Sequence, residues 1–289
     1  MKHHFSDNLD RSNDYWTTIP NKERFTFSAN FEIENKDEVK ILTINKKQKY
    51  WEQIFDCPNL EELTLHDPNK SQVQAISKLT KLKRLRITFF RATDIDFISD
   101  LCKLEELIFE YVSGFSDLTP LANLKKLKSL HFENLRKVSN FNGLRGLNNL
   151  RYIHIDGTLD WNQPIENFNF LTGLPSLEVF SLGWIANKTE FPALLPIIHL
   201  KKLKKINIIR TIFPTREYAF LQVALSQVEG CSWDLCWDYN GYNDKYDFLG
   251  KRAGFVKKNN PIVTERCNEF IATFEKMKRE AKIIINYNS

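Results

Sequence analysis

The chain has 289 residues, of which 42% are hydrophobic and 27% are charged, a composition that excludes a largely disordered protein. Its formal net charge of +5 is mild and falls well short of the dense basic surface of a dedicated nucleic-acid-binding protein. The length allows one extended array or two compact domains.

The N-terminal residues and the cysteines indicate the compartment. The segment from Met1 to Asn8 lacks the apolar core of a secretion signal, and no apolar run approaches the roughly 18 residues that a membrane-spanning helix needs. The five cysteines are odd in number and scattered, which favours reduced thiols over a disulfide framework. We therefore expect a cytoplasmic protein that does not contact a membrane.

Residues 1–38 are predicted to form an N-terminal cap. Apolar residues alternate on either side of the segment 28–30, which predicts a β-hairpin. These residues are Phe25, Phe27, Phe31 and Ile33. We expect Trp16 to cover the end of the core beneath this hairpin.

Residues 39–211 contain a repeat of the form L-x-x-L-x-L, with successive starts separated by 22, 22, 23, 23, 27 and 26 residues. A weaker copy, 39–44, precedes the first start. The starts are Leu60, Leu82, Leu104, Leu127, Leu150, Leu177 and Leu203. The alternating L-x-L predicts a strand in each repeat, and stacking of about eight such turns in a solenoid would bury the leucines that no single turn can bury alone.

The residues between these strands have a different period. Phe115, Leu118, Leu121 and Leu124 are three apart, and the same spacing occurs before the other strands. A period of 3 fits the 3.0 residues per turn of a 3₁₀-helix better than the 3.6 of an α-helix. We therefore predict an α/β solenoid with a curved parallel sheet on its concave side and 3₁₀ or irregular turns on its convex side.

The segment 116–130, SDLTPLANLKKLKSL, carries a resemblance to a known family. It resembles the short internalin-type leucine-rich repeats of bacteria, and the likeness extends over roughly residues 39–210. It implies a bacterial leucine-rich-repeat protein that binds other proteins. One departure concerns the turn after each strand, where the family usually places Asn. This chain has Pro68, Phe90, Val112, Leu135, Thr158, Ile185 and Thr211 there. We therefore expect a turn with different hydrogen bonding.

Residues 212–289 are predicted to form a C-terminal helix–hairpin–helix unit, which is an α+β cap or a small domain. Helical spacing of apolar residues in 216–229 is followed by Gly230 as a candidate C-cap. Alternation in 231–237, the turn Asn240-Gly241, and Tyr246 with Phe248 predict a hairpin. A final helix follows Pro261. Its apolar face consists of Val263, Cys267, Phe270, Ile271, Phe274, Met277 and Ala281.

The face of the sheet turned away from the core carries the candidate binding residues. Non-leucine positions of successive strands are expected to align in rows, and one region of these rows combines carboxylates with aromatic side chains, the residues that dominate interface energetics. The predicted partner-binding residues are Arg86, Phe89, Glu106, Glu110, Tyr111, His131, Glu133, Tyr152, His154, Asp156 and Trp184. The acidic residues among them would attract a basic protein partner.

Chemistry at this face is also conceivable. His131 and His154, with Glu133 and Asp156 nearby, have the residue types of a metal or acid–base site. However, we expect the face to be open and wet and to lack a nucleophile. Phosphate-loop, metalloprotease and hydrolase motifs are also absent from the sequence. We therefore predict a non-catalytic protein-interaction module with no metal and no cofactor.

Two alternatives remain open. An immunity or antitoxin-like protein that masks a basic effector would also need the acidic residues. Nucleic-acid binding would instead use the lysine-rich convex rim before the strands. Its lysines are Lys78, Lys81, Lys83, Lys125, Lys126, Lys128, Lys201, Lys202, Lys204 and Lys205. Nucleic-acid binding is the less favoured alternative, because Glu61, Glu105 and Glu178 interrupt these lysines. The oligomeric state and the partner's identity do not follow from the sequence.

Overall fold

The computed structural model describes residues 9–10, 17–18, 27–239 and 244–288. Within these ranges, nine parallel strands form the main sheet, and consecutive repeats lie side by side in it. Its strands are β3 (Phe27–Ser28), β4 (Ile41–Asn45), β5 (Glu62–His66), β6 (Arg84–Arg91), β7 (Glu106–Ser113), β8 (Ser129–Glu133), β9 (Tyr152–Asp156), β11 (Val179–Leu182) and β13 (Lys205–Ile208). The outer strands are β1 (Leu9–Asp10), paired with β2 (Thr17–Thr18), and β10 (Gln163–Ile165), paired with β12 (Ile185–Asn187).

The repeat leucines form the core, as predicted. Leu63, Leu85, Leu107 and Leu130 are register neighbours on successive strands and are fully buried. Each strand contributes one such layer, so the core runs the length of the array. This arrangement, with the repeat itself, defines the chain as a leucine-rich-repeat solenoid.

The return segments are mostly 3₁₀-helices, which confirms the interpretation of the three-residue period. Their bounds are Lys36–Glu38, Trp51–Asp56, Ile76–Lys78, Asp96–Ile98, Thr119–Asn123, Asn142–Leu144, Asn169–Gly173 and Leu195–His199. Leu121, Leu144, Leu171 and Ile197 point from them into the core. The single short α-helix of the described repeats, α1 (Lys70–Ala75), begins at an Asn69 capping box.

The turns after the strands have other residues at the position where internalin-type repeats usually have Asn. Phe90, Val112, Leu135 and Ile185 are buried there as apolar residues. Buried glutamines supply polar bonds at several turns. The Gln163 amide, for example, donates to the Val138 carbonyl at 2.7 Å and accepts from the Leu135 N–H at 2.9 Å. Gln72 and Gln53 bond backbone groups of earlier turns in the same way. Each turn therefore has its own hydrogen-bonding arrangement.

The predicted N-terminal hairpin across residues 28–30 is wrong. β3 pairs in parallel with β4, and residues 31–33 form no strand. The reason is that Phe27 lies beside Leu42 in the register of the sheet, so this segment adds one further rung instead of folding back on itself. Phe25 and Trp16 lie outside the described residues.

The C-terminal segment contains α2 (Thr215–Ala224), β14 (Cys236–Asp238), β15 (Lys245–Phe248), β16 (Phe255–Lys257) and α3 (Val263–Asn288). Both predicted helices and the return strand are present, while β16 was not foreseen. α2 ends before Gly230, so that glycine is not its C-cap. Gly230 has φ +85° and lies beside the Ile206 carbonyl, next to the bridge that joins Glu229 to Lys205.

The hairpin differs in detail. The strand predicted over 231–237 begins only at Cys236. Before it, the Trp233 indole N–H donates to the Ile208 carbonyl at 3.3 Å and attaches this segment to the last strand of the array. The turn at Asn240-Gly241 falls outside the described residues. α2 packs against α3, whose Phe274 and Ala281 join the core at the end of the array. None of the helices in the described ranges has the length and apolar character that a bilayer crossing requires.

Candidate concave binding face

The concave face consists of the strand residues directed away from the leucine core. As the sequence predicts, these residues align in rows that run across the sheet from strand to strand. In its middle row, Arg86, Ile108, His131, His154 and Ser181 are register neighbours on five adjacent strands. Because adjacent strands lie about 4.8 Å apart, side chains in one row contact each other directly.

An aromatic cluster, formed by His66, Phe89 and Tyr111, lies where the strands leave this face. The Phe89 and Tyr111 rings stack with centroids 5.0 Å apart, and His66 meets Phe89 edge-on at 5.5 Å. Phe89 is 53% exposed and Tyr111 is 38% exposed. Both have φ +55°, a left-handed backbone that is uncommon for bulky side chains. The conformation aims these rings outward together.

The predicted acidic patch is partly neutralised by arginine. Glu106 is 2% exposed and pairs with Arg84, which also bonds Glu62. Glu110 receives a two-pronged bond from Arg86, with contacts of 2.7–2.9 Å. The uncompensated acidic character is therefore narrower than expected and centres on Glu133 and Asp156.

The two histidines stack, with ring centroids 4.5 Å apart and planes inclined by 14°. His154 has a partner on each side, with Nδ1 2.8 Å from the Ser181 hydroxyl and Nε2 3.4 Å from an Asp156 oxygen. Burial, together with the charge of a protonated His131, lowers the pKa of His154. Among the described residues, neither ring nitrogen of His131 has a hydrogen-bond partner.

Ser181, His154 and Asp156, which are linked by these contacts, have the residue types of an acyl-transfer site. Ser181 was not singled out from the sequence, where a nucleophile was not expected. In the structure, Ser181 is buried in β11, and Asp156 is held by the backbone N–H of Trp184. The Ser181 hydroxyl lies 2.8 Å from His154 Nδ1, and Ser181, His154 and Asp156 line the same hollow. These contacts hold the His154 ring in place from both sides.

Glycine makes room for Asp156. A Cβ at Gly183 would fall on the Asp156 carboxylate, within 2.1 Å of both oxygens. Burial opposes the ionised form of Asp156, but the bonds from His154 and from the Trp184 and Gly157 N–H groups outweigh it and lower the pKa. Beside this carboxylate, a hollow of about 410 Å³ opens toward Ile206 and Ile208.

The expectation of an open, wet face is wrong for Tyr152 and Glu106. Tyr152 has no accessible surface and Glu106 almost none, so neither side chain is available to a partner. Burial raises the pKa of Tyr152 well above its ordinary value. Of the remaining predicted residues, His131 is buried, whereas Arg86, Glu110, Glu133, His154, Asp156 and Trp184 are half-buried. The most exposed part of the predicted set is Phe89 and Tyr111.

Sequence reasoning missed His66, Ser181 and Gly183. His66 and Ser181 occupy the same rows as the predicted residues, so row position itself was the available signal. Gly183 could have been found from its place beside Asp156, in the row that also contains Glu110 and Glu133, since a small residue there leaves space for its neighbour.

Comparison with known proteins yields neighbours at the level of fold. The repeat and its parallel strands establish a leucine-rich-repeat protein. An internalin (inlF) from Listeria monocytogenes aligns at 23% identity, with a TM-score of 0.46, over 59% of this chain and 49% of that one. Internalin C2 from the same organism aligns at 23% identity, with a TM-score of 0.45, over 60% of this chain and 75% of its own. A Leptospira interrogans leucine-rich-repeat protein aligns at 16% identity, with a TM-score of 0.35, over 63% and 58% of the two chains.

The chain thus spans about half the length of the first of these structures. No protein-family model matches the chain, and no curated protein matches it.

Proposed function

We propose that the protein binds another protein on its concave face, with Phe89 and Tyr111 as the anchoring side chains. The observation that carries this proposal is the exposed, stacked pair of aromatic rings. Their left-handed backbone recurs at the same place in the neighbouring repeats, at Asp67 and Asn134, so it belongs to the turn of the repeat. Core packing does not explain the two aromatic side chains, because both rings face solvent.

The surroundings of the rings suit a polar rim. The Tyr111 hydroxyl lies near Glu133, and burial together with this carboxylate raises the pKa of Tyr111. Half-buried Asp156 and Trp184 continue the surface toward the hollow. Aromatic anchors bordered by polar groups are typical of binding surfaces between proteins.

A basic partner is part of this proposal, with a reduced electrostatic role. Since Glu106 and Glu110 are paired with arginines, attraction of a basic protein would depend on Glu133 and Asp156. The immunity or antitoxin-like alternative depended on the wider acidic patch and is weakened to the same extent.

Nucleic-acid binding has less support than protein binding. Lys83, Lys128 and Lys204 lie 2.7–2.8 Å from Glu61, Glu105 and Glu178, respectively. A lysine paired in this way is less available to a phosphate. These three lysines therefore form ion pairs between successive turns.

The test compares capture by three immobilised full-length chains from a native lysate, quantified by mass spectrometry. These are the wild type, the double variant Phe89→Ala/Tyr111→Ala, and the control Tyr50→Ala/Phe55→Ala. The control removes two aromatic side chains of similar exposure on and beside the return segment 51–56. We expect a protein held by wild type and control to fall at least about tenfold with the concave variant, since a hot-spot residue contributes about 2 kcal/mol or more.

Equal capture by all three chains would place binding elsewhere. A separate variant, Glu133→Lys, tests the charge of the partner without disturbing the arginine pairs. A loss of capture by Glu133→Lys relative to wild type that is seen at low salt and not at high salt would support a basic partner.

A further inference from the structure

Glu110, His131 and Glu133 converge on the concave face. Glu110 and Glu133 are register partners on β7 and β8, and His131 lies two residues before Glu133 on the same side of its strand. One carboxylate or imidazole atom from each residue lies within 4.8 Å of the other two. The parallel register therefore places one nitrogen and two oxygen donors around a common point.

His131 is the unusual member of this group. It is 8% exposed, and neither ring nitrogen has a hydrogen-bond partner among the described residues. A buried polar group without a hydrogen-bond partner destabilises the folded state. The stacked neighbour His154 shows the ordinary solution, with a partner on each nitrogen. The imidazole of His131 is thus buried next to two carboxylates without a hydrogen-bond partner among the described residues.

The distances fit metal coordination better than hydrogen bonding. His131 Nε2 lies 4.0 Å from a Glu133 oxygen, which is too long for a hydrogen bond. Zinc binds nitrogen and oxygen at about 2.0–2.2 Å in a tetrahedral arrangement, so two of its ligand atoms lie about 3.5 Å apart. The three ligand atoms lie within 4.8 Å of one another, so each would move inward by about 0.8 Å or less to bind the ion.

Arg86 orients one of the carboxylates. It bonds both oxygens of Glu110, and a carboxylate has about four acceptor positions, so Glu110 retains capacity for an ion. Outer groups that hold ligands in place are common around metal sites. The guanidinium charge opposes a cation, whereas Glu133 and nearby Asp156 have no arginine partner among the described residues and favour one.

We propose that Glu110, His131 and Glu133 bind a divalent transition-metal ion of the Zn²⁺ type. An imidazole ligand favours such ions over Mg²⁺ and Ca²⁺, which prefer oxygen alone. This replaces the expectation, drawn from the sequence, that the histidines of this face hold no metal. It also replaces the four residues considered there, because His154 and Asp156 are committed to each other. The site goes beyond the proposed partner binding and does not depend on it.

The test is isothermal titration of ZnCl₂ into full-length protein that has been stripped with a chelator, with MgCl₂ as the comparison. We expect one equivalent of Zn²⁺ with a Kd in the micromolar range or below, and no saturable Mg²⁺ binding. His131→Gln and Glu133→Gln should each weaken Zn²⁺ binding at least about tenfold. The control His199→Gln removes an exposed histidine of the convex side and should leave the Kd unchanged.

Circular-dichroism melting of each variant checks folding. Glu133→Gln covers the case in which His131→Gln does not fold, since the Glu133 side chain is about one-third exposed. Absence of stoichiometric Zn²⁺ binding to the wild type would overturn the proposal, as would an unchanged Kd in Glu133→Gln. The measurement uses no protein partner, so its outcome is separate from that of the capture experiment.

Discussion

At the residue scale, the concave face shows side chains held by their neighbours on adjacent strands. Asp156 is the clearest example, since His154, the Trp184 N–H and the space over Gly183 together determine its position. The rows themselves could be predicted, because alternation along a strand and a regular repeat are both visible in the sequence. The pairing of Arg84 and Arg86 with the glutamates could not, since it depends on which neighbour each long side chain reaches.

Gly183→Ala should displace the Asp156 carboxylate. The new Cβ would overlap that carboxylate, so the bond from Trp184 would be lost at a cost of about 1–3 kcal/mol. Urea unfolding measures the change. In the Asp156→Ala background, the same glycine substitution should cost much less, because the overlapping group is gone. Equal costs in both backgrounds would rule out this steric explanation.

Glu178→Gln should destabilise the protein by about 1–2 kcal/mol at neutral pH, as expected for a charged, hydrogen-bonded group whose side chain is only 12% exposed. Burial opposes ionisation of Glu178, but bonds from Arg151 and Lys204 outweigh it and lower its pKa. A carboxyl group whose pKa is lowered in the folded state stabilises the folded protein at pH values above its ordinary pKa. This stabilisation is lost as the pH falls through the folded-state pKa.

The difference between wild type and Glu178→Gln in urea unfolding should therefore be full at pH 7 and shrink below about pH 4. Glu190→Gln, at an exposed carboxylate on a neighbouring loop, serves as the control and should show little change at either pH. A constant difference across this range would contradict the assigned ion pair.

At the scale of elements, the spacing of apolar residues determined which strands and helices could be predicted from the sequence. The two-residue alternation located the strands, and the three-residue period located the 3₁₀ segments, because each period reflects a distinct backbone geometry. The hairpin predicted near Ser28 is wrong because alternation identifies a strand but does not identify the strand that pairs with it. Phe27 pairs with the next repeat, a long-range choice that local pattern does not encode.

Phe274→Ala should loosen α3 from α2. Phe274 is buried at the end of the array, so its truncation should cost about 3–5 kcal/mol. Hydrogen exchange followed by mass spectrometry should show faster exchange in α3 and α2 and little change in β6 to β9. Ile283→Ala, on an exposed part of the same helix, is the control. Uniformly faster exchange across all strands would mean that the C-terminal unit and the array unfold together.

At the scale of the whole molecule, each rung contacts only its neighbours. Leu130→Ala should cost about 2–5 kcal/mol, because the side chain is fully buried between Leu107 and Ile153. Hydrogen exchange should quicken in β7 and β9 on both sides. Leu159→Ala, at an exposed loop position, is the control. Exchange that rises on one side alone would contradict symmetric stacking.

The buried glutamines have a consequence for how such a chain can change in length. Gln163 reaches backward to the carbonyl of Val138 and the N–H of Leu135, so it fits only the turn that precedes it. Excising or duplicating one repeat would separate such an amide from its matching backbone groups and leave both unsatisfied inside the core. The repeats are therefore individually fitted parts, and insertion or loss of a whole rung should be tolerated far less than substitution within one.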